Sequence, residues 1–311
     1  MAEKSNKTTA KSTVKHQDTT GTVRLNKFLA DSGICSRRAA DGIIADGRVL
    51  VNGKKVFELG IKVNPTEDRI TVDRKPIKQD HDKIYLMLHK PKGILTTMED
   101  ELGRPTVAQY LGAISKRVFP VGRLDWDSEG LLLFTNDGEF ANKVMQPKND
   151  ITKTYLVKID GQPDDRNLNR LRMGVSIPGG RVRALHVEKI SRKEGSKQYN
   201  WIKIVINEGK NRQIRFMFEK IGYDVMKLQR VAIGQLKIGK LDRGELTYLD
   251  ETDLKKVFIK DLPTDMKPRI NAKPNVKGKP AKPVPGKHVG KRAFKATHKQ
   301  NRDFNKMFTE K

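Results

Sequence analysis

Phe119-Pro-Val-Gly-Arg-Leu-Asp-Trp-Asp-Ser-Glu-Gly-Leu-Leu-Leu-Phe-Thr-Asn-Asp-Gly138 is the stretch on which the fold turns. Its end segments read as strands. Residues 131–134 form a continuous apolar run, followed by Thr135 and turn residues, the pattern of a fully buried strand. Asn136-Asp-Gly138 marks a turn, and the residues after it, EFANKVM, suit a helix. Between the strands, Gly122 and Gly130 flank a polar loop that carries Asp125, Asp127 and Glu129. Catalytic groups often sit on a loop held by a rigid scaffold. An aspartate that merely closes a turn would look the same at this level.

Outward from that loop, residues 81–260 read as a mixed α/β domain dominated by antiparallel strands. KIYLMLHKPKGI alternates and ends at Pro91. ELGRPTVAQYLG offers a short helix with Pro105 near its start. TKTYLVKI is a strand, and DDRNLNRLRMGV is a helix with Leu168 and Leu171 three apart. VSIPGGRVRALHVEKI reads as a hairpin through Pro178-Gly179-Gly180. Residues 200–239 give strand, basic turn, helix and strands. GELTYLDETDLKKVF closes with a strand and a short helix.

Residues 22–80 form a smaller unit. Leu25, Phe28 and Leu29 recur on one helical face, and Gly33 ends that helix. Ser36 is a good N-cap for a second helix, closed by Gly47. VLVNGKKV then alternates into Asn52-Gly53, a hairpin turn signal. ITVDRKPI adds another strand.

The 311 residues carry a net charge of +26. A balance this basic points to a polyanion: nucleic acid first, an anionic membrane surface second. Residues 261–311 hold 14 Lys/Arg against 4 Asp/Glu, and residues 1–21 hold 4 against 2. Residues 22–260 therefore keep +14 of their own. The two arms, Lys/Thr-rich at 1–21 and Lys/Pro-rich at 261–311, are too poor in large apolar groups to fold, and are expected to be disordered. No apolar run is long enough to span a membrane, and no secretory signal opens the chain. Cys35 is the sole cysteine, so no internal disulfide is expected and a cytoplasmic setting is. The six histidines lack metal-ligand spacing, so neither a metal nor a diffusible cofactor is expected. The expected state is a monomer.

Residues 24–56 resemble the S4 RNA-binding domain. That resemblance implies a basic RNA-docking face made by the second helix and the following hairpin. The matching positions are Arg24, Lys27, Ser36, Arg37, Arg38, Arg48, Asn52 and Lys54. Arg37 and Arg38 fall in the first turn of a helix, where positive charge opposes the helix dipole. Charge placed against local stability suggests an external use.

Gly122-Arg-Leu-Asp125, followed by an apolar strand and Thr135-Asn-Asp-Gly138, resembles the catalytic signature of the RsuA/RluA superfamily of RNA pseudouridine synthases. Four more segments match in order: Lys90-Pro91-x-Gly93, Lys153-Thr-Tyr155-Leu-Val, Glu208-Gly-Lys-Asn-Arg212-Gln-Ile-Arg215, and Lys227-Leu228-Gln-Arg230-Val-Ala-Ile-Gly234. An S4 unit in front is the RsuA arrangement, and the stretch from Val121 to Pro147 looks most like the large-subunit synthase B group. The resemblance spans about residues 22–260. It implies an α+β chain: a small S4 (α-L) domain at 22–80, then a mainly antiparallel pseudouridine synthase domain at 81–260. It implies isomerisation of uridine to pseudouridine in ribosomal RNA, 23S rRNA above all, or in a pre-ribosomal particle.

The same resemblance assigns roles. Asp125 becomes the catalytic aspartate, Tyr155 stacks on the target uracil, and Leu228 packs on its other side. Arg215 is expected to pair with Asp125, with Arg212 as the second choice. Arg123 and Arg104 are expected RNA or base-flipping contacts. One carboxylate suffices because the leaving base stays bound and returns, whereas glycoside hydrolases usually need two.

Two other motifs compete and fail. Residues 234–240 match GxxxxGK but continue with Leu241, so the magnesium-binding hydroxyl is missing. Asp127 and Glu129 would suggest paired carboxylates, but both fall in a polar loop. The alternative functions open to this sequence are a non-catalytic S4-type ribosome-assembly factor, and a protein that binds DNA or a membrane surface through charge alone.

Overall fold

The computed structural model describes residues 21–78, 82–194 and 197–263. The basic arms expected at 1–21 and 261–311 lie outside these residues, apart from Gly21 and residues 261–263.

The N-terminal unit begins with β1 (Val23–Arg24), α1 (Leu25–Asp31) and α2 (Arg37–Ala45). Ser36 caps α2 as its sequence position suggests, its Oγ accepting from the Ala39 N–H. β2 (Val49–Val51), β3 (Lys54–Val56), β4 (Lys62–Val63), β5 (Ile70–Val72) and β6 (Lys75–Pro76) follow. Leu25, Phe28, Leu29, Ala40, Ile44, Val49 and Ile70 close a small core between the helices and the sheet β3-β2-β5-β6. The single strand expected from ITVDRKPI is instead a hairpin of β5 and β6. Asp73 (φ +48°) and Arg74 (φ +66°) both take the left-handed conformation that a tight two-residue turn of this hand demands.

The larger unit is built on one sheet. Its strands are β7 (Tyr85–Lys90), β8 (Phe119–Val121), β9 (Glu129–Thr135), β10 (Lys153–Ile159), β13 (His186–Glu194), β14 (Lys197–Ile206), β15 (Val225–Ile233), β16 (Leu236–Lys237) and β17 (Leu246–Tyr248). The order is β13-β14-β10-β15-β9-β7-β17, with β8 on β9 and β16 on β15. Every pairing is antiparallel except β15 with β9. β11 (Val175–Ile177) and β12 (Gly180–Val182) form the separate hairpin expected through Pro178-Gly179-Gly180.

Apolar groups cover both faces of this sheet. On β7 and β9, Leu86, Leu88, Leu132 and Phe134 enter one core with α4 (Asp165–Met173) and α5 (Gln213–Glu219). Met87, Leu131 and Leu133 enter the other with α3 (Gly138–Met145) and α6 (Glu251–Val257). The alternation read in KIYLMLHK thus divides side chains between two cores rather than between core and water. Residues 107–111 form a 3-10 turn capped by the Thr106 hydroxyl, so Pro105 lies just before the helix and not within it.

Candidate active site

A cleft of about 500 Å³ opens on the face of the sheet that carries Tyr155 and Leu228. Its walls come from the loop between β8 and β9, the start of β10, the 209–214 turn into α5, and β15. Asp125 is the only carboxylate among its lining residues. Tyr155 and Leu228, 8% and 5% exposed, form part of the wall. They sit on neighbouring strands, Tyr155 opposite Arg230 and Val157 opposite Leu228. Antiparallel partners share a face, so these side chains come to the same side of the sheet.

The Asp125 loop is fixed from below by Lys90, a fully buried lysine at the end of β7. Its Nζ donates to the carbonyl oxygens of Asp125 (3.2 Å), Ser128 (2.9 Å) and Pro91 (3.0 Å). Burial pushes the Lys90 ammonium down to about 8, against the pull of Asp125 and Asp127. The loop is also tied to the 93–96 segment. The Gly93 N–H donates to the Trp126 carbonyl (2.8 Å), and the Thr96 hydroxyl donates to the Leu124 carbonyl (2.7 Å).

The pair expected between Arg215 and Asp125 is not formed. Arg215, in the first turn of α5, places Nη2 3.0 Å from Asp127 Oδ2 and donates to the Asp127 carbonyl at 3.1 Å. Its Nη1 donates to the Val225 carbonyl (3.0 Å). Burial lowers the Arg215 pKa from its usual value, and the Asp127 charge opposes that shift. Arg212 also reaches Asp127, at 3.4 Å, while lining the cleft. Glu129 pairs with Lys227 and Arg243 and does not line the cleft.

Among the remaining expected contacts, Arg123 is exposed and lines the cleft. Arg104 does not line it. Its guanidinium is engaged by Asp100 four residues earlier, at 2.7 Å, and the two make a local turn rather than a cleft contact. Two further cations on the strands line the cleft, Lys153 and Arg230, in addition to Lys210 from the turn before α5. In the sequence both strand cations are motif positions to which no role attaches. The signal available was their spacing, each two residues from a wall residue on the same strand.

The S4 positions divide into two groups. Arg24, Arg37, Arg38 and Lys54 are exposed and form no ion pair among the described residues. The other four are engaged internally. Arg48 grips Asp73 with two hydrogen bonds, of 2.9 and 2.5 Å. Asn52 spans Asp68 and the Arg69 N–H, Lys27 pairs with Asp31, and Ser36 caps α2. Their side chains shape the hairpin and helices on which the free arginines and lysine stand.

No helix among the described residues is long and apolar enough to cross a membrane. A family model described as RNA pseudouridylate synthase matches residues 84–220, and one for the S4 domain matches residues 23–70. The ribosomal large subunit pseudouridine synthase B of Bacillus subtilis is 40% identical over 234 residues, covering 75% of this chain and 95% of that protein. The dual-specificity RNA pseudouridine synthase RluF of Escherichia coli is 38% identical over 260 residues, with coverages of 82% and 86%. The crystal structure of a pseudouridylate synthase superposes with a TM-score of 0.53 at 27% identity, covering 76% of this chain and 99% of that one. With relatives matched almost end to end and one carboxylate facing an aromatic-walled cleft, this chain belongs to the RNA pseudouridine synthases that carry an S4 domain.

Proposed function

We propose that this enzyme isomerises a specific uridine of 23S ribosomal RNA, with Asp125 as the catalytic group. The observation that carries the reading is the cleft itself: one carboxylate, unpaired among the described residues, beside Tyr155 and Leu228. The target uridine leaves its stack, at a cost of a few kcal/mol, and its base lies between Tyr155 and Leu228. Asp125, ionised, either attacks C1′ or removes a proton from C2′. The N1–C1′ bond breaks, the uracil turns, and C5 joins C1′. The C5 proton then leaves, with the Tyr155 hydroxyl close by. No water is consumed, so a second carboxylate has no task.

Arg215 acts through the loop. Holding Asp127 by side chain and main chain, it sets the backbone on which Asp125 stands. Arg123 and Arg212 contact RNA at the rim. Arg24, Arg37, Arg38 and Lys54 add phosphate contacts from the S4 unit, so affinity falls as salt rises. Large-subunit RNA is favoured by the 95% coverage of the Bacillus subtilis relative.

The test is a pseudouridine map of ribosomal RNA from cells with and without the gene, with wild type and Asp125→Asn restored separately. One pseudouridine in 23S RNA should vanish, return with wild type, and stay absent with Asp125→Asn. An unchanged map would leave a non-catalytic assembly factor as the reading. A lost site in 16S RNA alone would move the substrate to the small subunit.

A further inference from the structure

Arg230 is a buried charge with an unmet donor. It is 3% exposed, its Nε donates to the Leu131 carbonyl (2.7 Å), and its Nη2 has no partner among the described residues. Leaving a buried charged donor unpaired is costly, so its persistence asks for an anion that arrives with a ligand. Arg230 lines the same cleft as Asp125, and so does Lys153. Lys153 donates only a long 3.3 Å bond, to the Ile151 carbonyl two residues away.

The strands aim this pair. Lys153 and Tyr155 lie two apart on β10, and Leu228 and Arg230 two apart on β15, so each cation shares a sheet face with a wall residue. The pairing slips by one residue between Thr154 and Tyr155, whose partners are Ala232 and Arg230. A bulge of this kind re-aims side chains and is common beside active sites. A planar base held against Tyr155 and Leu228 therefore turns its edge toward Lys153 and Arg230.

We propose that Lys153 and Arg230 form a cationic cradle for the uracil ring while it is detached from the sugar. The inference rests on the function proposed above. When the N1–C1′ bond breaks, its electron pair goes to the base, and negative charge spreads over N1, O2 and O4. C1′ meanwhile bonds to Asp125, or the C2′ proton passes to it. The ring turns in place and its C5 supplies the pair for the new bond to C1′, as the Asp125–C1′ bond breaks or, on the other route, as C2′ takes its proton back from Asp125. C5 then loses its proton to water while N1 gains one. The bound uridine is neutral and the detached ring is anionic. Fixed cations therefore stabilise the second more than the first, which is the condition for acceleration.

The charged residues that line the cleft with Lys153 are Arg230 from β15, Asp125 and Arg123 from the loop before β9, and Lys210 and Arg212 from the turn before α5. Burial and Arg230 together push the Lys153 ammonium down to about 8. The cradle should thus lose a charge in mildly alkaline solution.

The experiment is single-turnover kinetics on an RNA transcript bearing the mapped uridine, with wild type, Lys153→Met and Lys153→Arg. Lys153→Met should slow the reaction at saturating RNA by about 10²-fold. Its RNA affinity should stay within about threefold of wild type. Lys153→Arg should recover most of the rate. The wild-type rate should fall as pH rises through about 8, and Lys153→Arg should remove that fall. Because Lys90 titrates in the same range, an alkaline fall that survives in Lys153→Arg overturns the assignment. So does a loss of RNA affinity at unchanged saturating rate, which marks a phosphate contact, or an unchanged rate in Lys153→Met. Arg230→Lys with an intact thermal melt tests the second cation without emptying the site, and a wild-type rate there overturns Arg230's part. A wild type that makes no pseudouridine overturns the function and this inference together.

Discussion

Gly130 and Arg230 meet across the one parallel junction of the large sheet, and a Cβ on Gly130 would lie 2.2 Å from the Arg230 carbonyl oxygen. Gly130 also pairs with Lys90 on the other side. At φ +114° its backbone is one that side chains rarely adopt. The approach brings the Asp125 loop, the buried lysine and the cleft arginine within one small volume.

Gly130→Ala should therefore be far more damaging than its one methyl suggests. Backbone strain and a clash with main chain that cannot move aside add up to about 3 kcal/mol of lost stability. Urea unfolding of the full chain measures it. A loss below 1 kcal/mol would mean that the junction relaxes freely.

The clasp of Asp127 by Arg215 gives a second expectation. Asp127→Ala frees Arg215 and loosens the loop without touching the Asp125 carboxylate. Small misplacements of a reacting group cost on the order of 10²-fold in rate. Asp127→Ala should sit in that range, while Asp125→Asn should leave no measurable pseudouridine. Tritium release from C5-labelled RNA separates the two. Equal, complete losses would assign Asp127 a direct role.

Lys153 ties stability to pH in a direction opposite to its use. Its folded-state pKa, about 8, lies below the unfolded value near 10.5. Between those values the unfolded chain binds the extra proton, so stability rises with pH across that window. Below about pH 8 the fold carries the full cost of the buried charge. Lys153→Met removes that cost and should raise stability at pH 7 by on the order of 2 kcal/mol. The gain should shrink as pH rises through that window, to about a quarter of its pH 7 value by pH 10. Melts at pH 7 and pH 10 check it; the same shift at both would point to packing instead.

The sequence shows where Asp125 sits because a polar loop between two apolar strands survives any choice of tertiary partner. The two helices and hairpin of the S4 unit are legible for the same reason: Ser36, Gly47 and Asn52-Gly53 act locally. The partner of Arg215 is not legible. Asp125 and Asp127 lie two apart in one loop, and only the position of α5 decides between them. Nor is the burial of Lys90 and Arg230 or the half-burial of Lys153, since a charged residue in a strand reads as a solvated position until neighbouring strands cover it. The β9–β15 pairing joins residues 100 apart, yet Gly130 at the start of an apolar strand was a usable hint of close backbone approach. The grip of Arg48 on Asp73, across 25 residues, rests on a turn with two positive φ values that neither Asp nor Arg advertises.

The tryptophans offer a direct optical check on the loop. The chain has two. Trp201 is fully buried, whereas Trp126, next to Asp125, is 43% exposed with its ring near Gly93. Acrylamide should quench Trp126 and spare Trp201, and Trp126→Phe should remove nearly all the quenchable emission. Because Trp126 stands beside Asp125, the proposed catalytic group, substrate RNA should protect that emission from acrylamide. A non-cognate RNA bound only through phosphate contacts on the S4 unit should not, and its binding should fade with salt. Protection by every RNA alike would mean that docking at Asp125 is driven by charge rather than by the target site.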